Sequence, residues 1–199
     1  PAMEHAPSTP SAFAGSPVDN RAASADTRAT ATTGSAASPR VALVTGAGKR
    51  LGRAIALALA QDGWDIGVHC RDSVVEAEQT VKDIQALGRR AVVLQADLDE
   101  AAQCQTLVPR LADARGPVSG LVNSASRFEY DDIRSFTPES LQQHLVPNLM
   151  APLLLAQSLA SQLPAAPVQG VIVNLLDQKL FNLNPDFLSY TLSKAALSA

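Results

Sequence analysis

The stretch VALVTGAGKRLG, residues 41–52, decides the fold of this chain. Its first part, Val41 to Thr45, is a compact apolar run typical of a buried β-strand, and helix-forming residues follow from Arg50. Glycines between a strand and a helix let the backbone turn tightly and approach a pyrophosphate, whose charge is met by the free N–H groups at the helix start. The spacing is Gly-x-Gly-x-x-x-Gly, which differs from the Gly-x-Gly-x-x-Gly of long-chain dinucleotide-binding proteins. The loop predicts a nucleotide site; a turn that serves only the strand-to-helix connection is the alternative.

Beyond this loop, short apolar runs alternate with longer amphipathic ones. The pattern predicts further strands at 65–70, 91–95, 118–123 and 170–176, and helices at 50–62, 74–87, 100–114, 138–163 and from Ser189 onward. Strands that alternate with helices in this way predict an α/β fold, a doubly wound parallel sheet with helices on both faces. The strands are apolar almost throughout, as expected when both faces of a sheet are covered. Ligands of such sheets lie beyond the carboxyl ends of the strands, near the point where strand order reverses.

Residues 1–39 differ from the rest in composition. They are rich in Ala, Ser, Thr, Pro and Gly, and Met3, Phe13 and Val18 are their only large apolar residues. Such a segment cannot bury enough surface to offset its ordering entropy, so we expect a disordered N-terminal extension, with an organelle transit peptide as the alternative. The folded domain is expected at 40–199.

Charge and cysteine content narrow the class of protein. The formal net charge is −3, which favours neither nucleic acid nor an anionic membrane as a partner. The two cysteines, Cys70 and Cys104, lie far apart and without metal-ligand spacing, which predicts free thiols, no metal site and a cytoplasmic setting. No apolar run approaches the ~18–20 residues that span a bilayer.

The residues after the second strand bear on the choice of cofactor. An acidic residue there would hold the ribose 2′-hydroxyl of NAD, but this strand ends in Cys70 and is followed by Arg71. The guanidinium of Arg71 offers a fork of donors suited to a 2′-phosphate, to which Ser73 and Lys49 can add, and this favours NADPH. The alternative is that Arg71 is a surface charge and Asp72 binds the ribose.

A second acidic position follows the third strand. Asp97 is placed to accept a hydrogen bond from the adenine amino group. A helix N-cap is an equally good interpretation of this residue.

Tyr190 and Lys194 lie four residues apart, so they share one face of the last predicted helix. A tyrosine with its ordinary pKa of about 10 is a poor acid–base catalyst near neutrality. A cation beside the ring favours the phenolate, so we expect Lys194 to lower the pKa of Tyr190. Alone, the pattern usually marks a solvated helix face.

Together these features resemble the short-chain dehydrogenase/reductase family. The resemblance rests on the loop at 45–52, the Asn-Ser-Ala-Ser segment at 123–126, Asn148, Tyr190 and Lys194, and it spans residues 40–199. It implies a Rossmann-like fold, Tyr190 as proton donor, Lys194 as a ligand of the nicotinamide ribose, and Asn148 as the anchor of a water that relays protons to Lys194. The cofactor set it implies, with the residues above, is Thr45, Gly46, Lys49, Arg50, Leu51, Gly52, His69, Arg71, Ser73, Asp97, Leu98, Asn123, Ser124, Ala125 and Lys194.

The resemblance also carries expectations about the rest of the molecule. The family continues some fifty residues past the lysine, so we expect C-terminal strands that are missing from the given chain, and poor folding or inactivity without them. A homotetramer through the helices at 138–163 and from 189 is expected for the full-length form.

Three departures from the common family pattern narrow the range of expected substrates. Arg50 replaces a glycine, Ser126 ends the motif after the fourth strand, and Asp177 replaces a serine 13 residues before the tyrosine. These departures resemble the pteridine reductase branch, in which Phe128 would stack on the pterin. The implied substrate set is Arg50, Ser126, Phe128, Asp177 and Tyr190, with Asp177 also catalytic. A loop anchor is the alternative for Asp177, and core packing the alternative for Phe128.

Three functions stay open at this point. The first is NADPH-dependent reduction of a pterin or folate-like substrate. The second is a short-chain reductase for a ketone, sugar or acyl substrate, and the third is a non-catalytic NADPH-binding protein.

Overall fold

The computed structural model describes residues 40–163 and 169–199, so the predicted disordered extension at 1–39 lies outside the described residues. The strands are β1 (Val41–Val44), β2 (Asp65–Cys70), β3 (Ala91–Gln95), β4 (Gly120–Asn123) and β5 (Val171–Asn174). The helices are α1 (Arg50–Gln61), α2 (Val74–Ala86), α3 (Ala101–Arg115), α4 (Pro138–Leu145), α5 (Ala151–Gln162) and α6 (Leu188–Ser198). These bounds agree with the predicted elements to within about two residues at most ends, the usual uncertainty of helix ends.

The five strands form one parallel sheet in the order β3-β2-β1-β4-β5. In its register Leu43 of β1 lies opposite Gly67 of β2 and Leu121 of β4. The chain runs outward in one direction from β1 to β3 and in the other from β4 to β5, so strand order reverses between β1 and β4. The doubly wound parallel sheet is thereby confirmed, and the loops after β1 and β4 flank its switch point.

Alternate residues of the central strands bury opposite faces of the sheet. Val41 and Leu43 pack against α3 and α5, whereas Ala42 and Val44 pack against α1 and α2. The edge strand β5 differs, because its three apolar residues are 43–49% exposed. The apolar residues of β5 therefore have less cover within the described residues than their pattern predicts. Among the described residues it pairs with β4 on one side only.

The predicted helix at 138–163 is interrupted in its middle. Thr137 and Ser140 form a capping box at the start of α4, and a π-helical turn at Val146–Met150 joins α4 to α5. Pro147 in this turn lacks a backbone N–H and would collide with the preceding turn of a regular α-helix, so the wider turn accommodates it. The turn also leaves Asn148 fully buried, with consequences described below.

At the amino-terminal end of β2, away from the predicted ligand edge of the sheet, Asp65 forms a buried ion-pair cluster. Removal of this cluster should destabilise the fold. Its side chain is 1% exposed and accepts from Arg89 Nη2 at 2.8 Å and Arg90 Nε at 2.7 Å. Burial alone would raise the pKa of Asp65, but the backbone N–H of Arg90 and the two guanidinium groups lower it below its usual range. Asp65→Asn is expected to reduce the free energy of unfolding by about 1.5–3 kcal/mol at neutral pH, since it weakens charge-assisted hydrogen bonds.

The destabilisation caused by Asp65→Asn should be smaller in acid than at neutral pH. A carboxylate whose folded pKa is depressed contributes stability above its unfolded pKa of about 3.9, and that contribution is lost as the pH falls through the folded value. Urea unfolding at several pH values should therefore show a constant difference between Asp65→Asn and the parent near neutrality, and a shrinking one in acid. Asp62→Asn is the control, because Asp62 pairs with Arg40 in solvent and should change stability little. Equal effects of the two substitutions would contradict the prediction.

Candidate active site

The glycine loop after β1 has the close backbone contacts that its sequence predicts. Gly46 has φ of +66°, and a Cβ atom on Gly52 would lie 2.3 Å from the carbonyl oxygen of Gly46. Residue 52 must therefore be glycine for the first turn of α1 to pack against the loop. The free N–H groups of that turn can then face an anion.

Arg50 carries backbone strain at the start of α1. Its φ is +49°, in the left-handed region that favours glycine, and it lines the same cavity as the loop. The structure thus gives a physical reason why glycine suits this position, and Arg50 occupies it at a conformational cost of about 1 kcal/mol or more. Strain of this kind is concentrated at functional sites, which supports a ligand role for the side chain.

His69 supports the glycine loop from below. Its Nδ1 accepts from Gly46 N–H at 3.1 Å, and its Nε2 lies 3.2 Å from the carbonyl oxygen of Ala96. Burial lowers the pKa of His69 to about 4, so the ring is neutral near pH 7 and Nε2 is the donor. Both ring nitrogens thus have protein partners, and the imidazole holds the loop. His69 also lines the cavity described below, and its contact with the cofactor stays a prediction.

The cations predicted to bind the 2′-phosphate are exposed, and each forms an ion pair with a carboxylate at the surface. Arg71 Nε donates to Asp72 at 2.8 Å, and Lys49 Nζ lies 2.7 Å from Glu76. Exposed pairs of this type contribute little to stability, so a phosphate with about two negative charges can replace these carboxylates. The Ser73 hydroxyl lies against Gly48, and Ser73 lines the same cavity as both cations.

Asp97 and Leu98 lie after β3 on the rim of the same cavity. The N-cap of α3 is Glu100, so the alternative interpretation of Asp97 as that cap is wrong. The Asp97 carboxylate instead accepts from the backbone N–H of Asp99 at 2.9 Å. A contact with adenine stays a prediction for Asp97.

One cavity of about 800 Å³ gathers most of the predicted ligand residues. Those that line it are Gly46, Lys49, Arg50, Leu51, Gly52, His69, Arg71, Ser73, Asp97, Leu98, Ser124, Ala125, Ser126 and Phe128. Thr45 and Asn123 do not line it and are buried beside it. The Thr45 hydroxyl accepts from the N–H groups of Ser124 and Ala125, both at 3.0 Å, and so ties the loop after β4 to the end of β1.

The residues predicted to transfer protons form a compact group after β5. The Tyr190 hydroxyl donates to Asp177 Oδ2 at 2.7 Å. The other oxygen of Asp177 accepts from Lys179 N–H at 2.8 Å and caps a short 3₁₀ turn at Gln178–Leu180. The interpretation of Asp177 as a loop anchor is confirmed, and its other oxygen meets the phenol, so its role in catalysis and substrate binding stays a prediction.

The charge state of Tyr190 differs from the prediction. Burial and the Asp177 carboxylate raise the pKa of Tyr190 well above its ordinary value, whereas we expected Lys194 to lower it. Lys194 Nζ donates to the carbonyl oxygen of Leu175 at 2.8 Å and lies 5.9 Å from the centre of the tyrosine ring. Burial lowers the pKa of Lys194, although Asp177 acts in the opposite direction. The expected effect of Lys194 is therefore wrong for this arrangement, which keeps Tyr190 protonated.

The side chain of Asn148 has a full set of protein partners. Its Oδ1 accepts from Arg127 N–H at 2.8 Å and from the Ser126 hydroxyl at 3.2 Å, and its Nδ2 donates to Arg127 O and to Ser193 Oγ. Asn148 thus joins the loop after β4 to α6. The predicted water relay to Lys194 stays a prediction, and it would have to use the backbone carbonyl of Asn148.

An aromatic cluster lies beside Tyr190. Phe128 is 54% exposed and meets the Tyr190 ring edge-on, with 4.6 Å between ring centres. Phe187 stacks on Phe128 at 4.2 Å with an interplanar angle of 9°, and it has φ of +58°. Phe187 was not among the predicted site residues. Its position three residues before Tyr190 was the sequence signal that could have placed it in this cluster.

The comparisons with known proteins identify the family. A sequence model of short chain dehydrogenases matches residues 40–199. The chain belongs to this family. An oxidoreductase of Methylorubrum extorquens without an assigned reaction is 34% identical over 160 residues, which are 80% of this chain and 63% of that protein. The 2-dehydro-3-deoxy-D-gluconate 5-dehydrogenase of Dickeya dadantii is 31% identical, over 79% of this chain and 61% of its own length.

A solved structure is similar in both sequence and fold. The FolM alternative dihydrofolate reductase 1 of Brucella suis, in complex with NADP, superposes with a TM-score of 0.75 at 38% identity, over 79% of this chain and 65% of that one. This short-chain dehydrogenase chain thus spans under two thirds of the length of each of these three proteins.

Two further features of the described residues concern membrane spans and metal ligands. None of the helices within 40–163 and 169–199 has the length and apolarity to cross a bilayer. In the same residues, His, Cys, Asp and Glu side chains form no group of three or more that could hold a metal ion.

Proposed function

We propose that this chain is the cofactor-binding and catalytic part of an NADPH-dependent pteridine reductase. The observation that carries the proposal is the 2.7 Å hydrogen bond between Tyr190 and Asp177, with Phe128 against the same ring. A carboxylate beside the proton donor suits a substrate with an amino group on a flat nitrogen heterocycle, and an exposed ring suits its face. The similarity to alternative dihydrofolate reductases from two Brucella species supports a pterin or folate-like substrate.

The residues of the cavity fit NADPH. The glycine loop and the first turn of α1 suit the pyrophosphate, and Arg71, Ser73 and Lys49 form the donor set for the 2′-phosphate. When bound there, NADPH would supply the hydride for the carbon of a C=N bond. NADP is bound in the solved structures of the Brucella relatives.

The chain's own residues complete the reduction. When the C=N carbon receives the hydride, its nitrogen gains an electron pair and takes the proton of the Tyr190 hydroxyl. The raised pKa of Tyr190 keeps the phenol protonated at neutral pH. It also makes the phenol a weaker acid, and the transfer is favourable because the nitrogen that has gained the electron pair is a stronger base than the phenolate. The Lys179 backbone N–H holds the pKa of Asp177 below its usual range, so the carboxylate stays charged and can accept from the pterin amino group.

Substrate tests on the purified protein separate pterin reduction from the second candidate, reduction of a ketone or sugar. That candidate is favoured by the 31% identity to a sugar-acid dehydrogenase. We expect 7,8-dihydrobiopterin or dihydromonapterin to deplete NADPH absorbance. Depletion by carbonyl compounds with none by either pterin would overturn the proposal in favour of a carbonyl reductase.

Arg71→Ala is expected to weaken NADPH binding about 10- to 100-fold and leave NADH binding unchanged. The reason is the loss of charge-assisted hydrogen bonds to the 2′-phosphate, worth about 1.5–3 kcal/mol. Titration of the protein with each cofactor measures the two affinities. Arg53→Ala is the control, because Arg53 pairs with Asp83 outside the cavity. An equal loss of affinity for both cofactors would show that Arg71 does not bind the 2′-phosphate.

We also propose a cytoplasmic location and, for the full-length protein, a homotetramer. Cys70 and Cys104 are buried free thiols, in accord with a reducing compartment. The assembly would use the surfaces of α4, α5 and α6.

A further inference from the structure

Asp131 is a buried carboxylate that neither the cofactor set nor the substrate set includes. It lies three residues after Phe128 and is 3% exposed. Its carboxylate accepts from Ser189 N–H at 2.9 Å, from the Ser189 hydroxyl, and from the Ser140 hydroxyl at 2.9 Å. A buried charge persists only when it is paired or hydrogen-bonded in this way.

These contacts place Asp131 where three elements meet. Asp131 belongs to the loop after β4, Ser140 to the first turn of α4, and Ser189 to the first turn of α6. The backbone carbonyl of Asp131 also accepts from Leu188 N–H at 3.1 Å. Asp131 therefore satisfies two of the free N–H groups at the start of α6, where a negative charge is favourable.

The start of α6 has no other cap. Phe187 precedes the helix in a left-handed conformation and makes no side-chain hydrogen bond to it. Burial would raise the pKa of Asp131, but the bonds from Ser189 and Ser140 bring it below its usual range, so the cap is charged at neutral pH.

Tyr190 follows the capped residue directly. Its hydroxyl must reach Asp177, and its ring must meet the edge of Phe128, which belongs to the same loop as Asp131. One residue thus fixes both the first turn of the helix that carries the phenol and the loop that carries the aromatic ring. The Asn148–Ser193 hydrogen bond holds the next turn of α6.

We propose that Asp131 is the positioning residue that aims Tyr190 at the substrate. The inference rests on the proposed function in so far as Tyr190 is taken as the proton donor. In structural terms, the Asp131 carboxylate holds α6 in a fixed position relative to the loop that follows β4.

The test compares Asp131→Asn with Asp132→Asn. Asp132 is the adjacent carboxylate, and it accepts from Arg134 N–H and from Ser135 within its own turn. Four quantities are measured on each protein: NADPH affinity by titration, turnover with 7,8-dihydrobiopterin, the solvent deuterium isotope effect on that turnover, and amide hydrogen exchange of the α1 and α6 peptides by mass spectrometry.

We expect Asp131→Asn to lower kcat about tenfold or more with unchanged NADPH affinity, since small misplacements of a reacting group are costly. Its solvent deuterium isotope effect should rise, because proton transfer from a misplaced phenol becomes more rate-limiting. Exchange should quicken in the first turn of α6 and not in α1. Asp132→Asn should change none of these quantities.

Each other outcome is also decisive. Unchanged exchange in α6 for Asp131→Asn, or equal effects of the two substitutions, would overturn the positioning role. If Asp131→Asn does not fold, Ser189→Ala replaces it, with the same local change in exchange expected at smaller size. If the parent protein reduces no pterin, the proposed function fails, and exchange in α6 alone then decides the role of Asp131.

Discussion

Tyr190→Phe is expected to reduce kcat for pterin reduction at least about 100-fold while NADPH affinity stays unchanged. A positioned general acid contributes about 10²–10⁴-fold, and this substitution removes the only acidic proton of the side chain. The ring is buried, and phenylalanine fills nearly the same volume, so the packing of α6 against Phe128 should survive. The cavity that is proposed to hold the cofactor is not lined by Tyr190, which is why binding and turnover should separate.

The measurement is steady-state NADPH oxidation beside a titration of NADPH fluorescence. Tyr130→Phe is the matched control, because Tyr130 is exposed and its hydroxyl donates to Asp132 at 3.5 Å, away from Asp177. Full turnover by Tyr190→Phe would remove this tyrosine from the reaction. NADPH binding without turnover of any substrate by the parent protein would instead favour the third function, a non-catalytic binding protein.

The sequence predicted the framework of this site because its signals are local. The glycine spacing at 46–52, the alternation of strand and helix patterns, and the four-residue step from Tyr190 to Lys194 each depend on neighbouring residues. Parallel sheets then bring the ends of β1 and β4 together without further information. Most of the residues that line the cavity lie in the loops that follow β1, β2, β3 and β4.

The features that the sequence did not predict depend on contacts that are distant in the sequence. The imidazole of His69 is occupied by Gly46 and Ala96, which no local pattern of β2 reveals. The pKa of Tyr190 is set by its burial and by Asp177, because Lys194 is directed to the backbone of Leu175.

Two further features needed the three-dimensional structure for a similar reason. Asp131 is an ordinary polar loop residue in the sequence, and only the packing of α4 and α6 around it makes its carboxylate a buried cap. The edge position of β5 follows from sheet order and cannot be inferred from the apolar run itself.

Asp177→Ser is expected to lower pterin turnover about 100-fold and to shift the alkaline limit of activity to lower pH. Loss of the carboxylate removes both its hydrogen bond to the phenol and its proposed contact with the substrate amino group; hydrogen bonds to a charged group contribute about 1.5–3 kcal/mol each. Reduction requires protonated Tyr190, so activity falls as the pH rises through the pKa of that phenol. Because Asp177 raises this pKa, the limit lies above the ordinary value of about 10 in the parent protein and should move toward it in the variant.

The pH profile of kcat/KM for 7,8-dihydrobiopterin and for a diketone measures both effects. A diketone has no amino group for the carboxylate to bind, so its turnover should fall less than that of the pterin. Asp177→Asn separates charge from shape, since the amide can still accept from Lys179 N–H and hold the 3₁₀ turn. Asparagine should therefore lower pterin turnover and shift the alkaline limit much as serine does. Wild-type pterin turnover with an unshifted limit in Asp177→Asn would show that the charge at position 177 has no part in the reaction, and the carbonyl reductase would then be the better interpretation of the site.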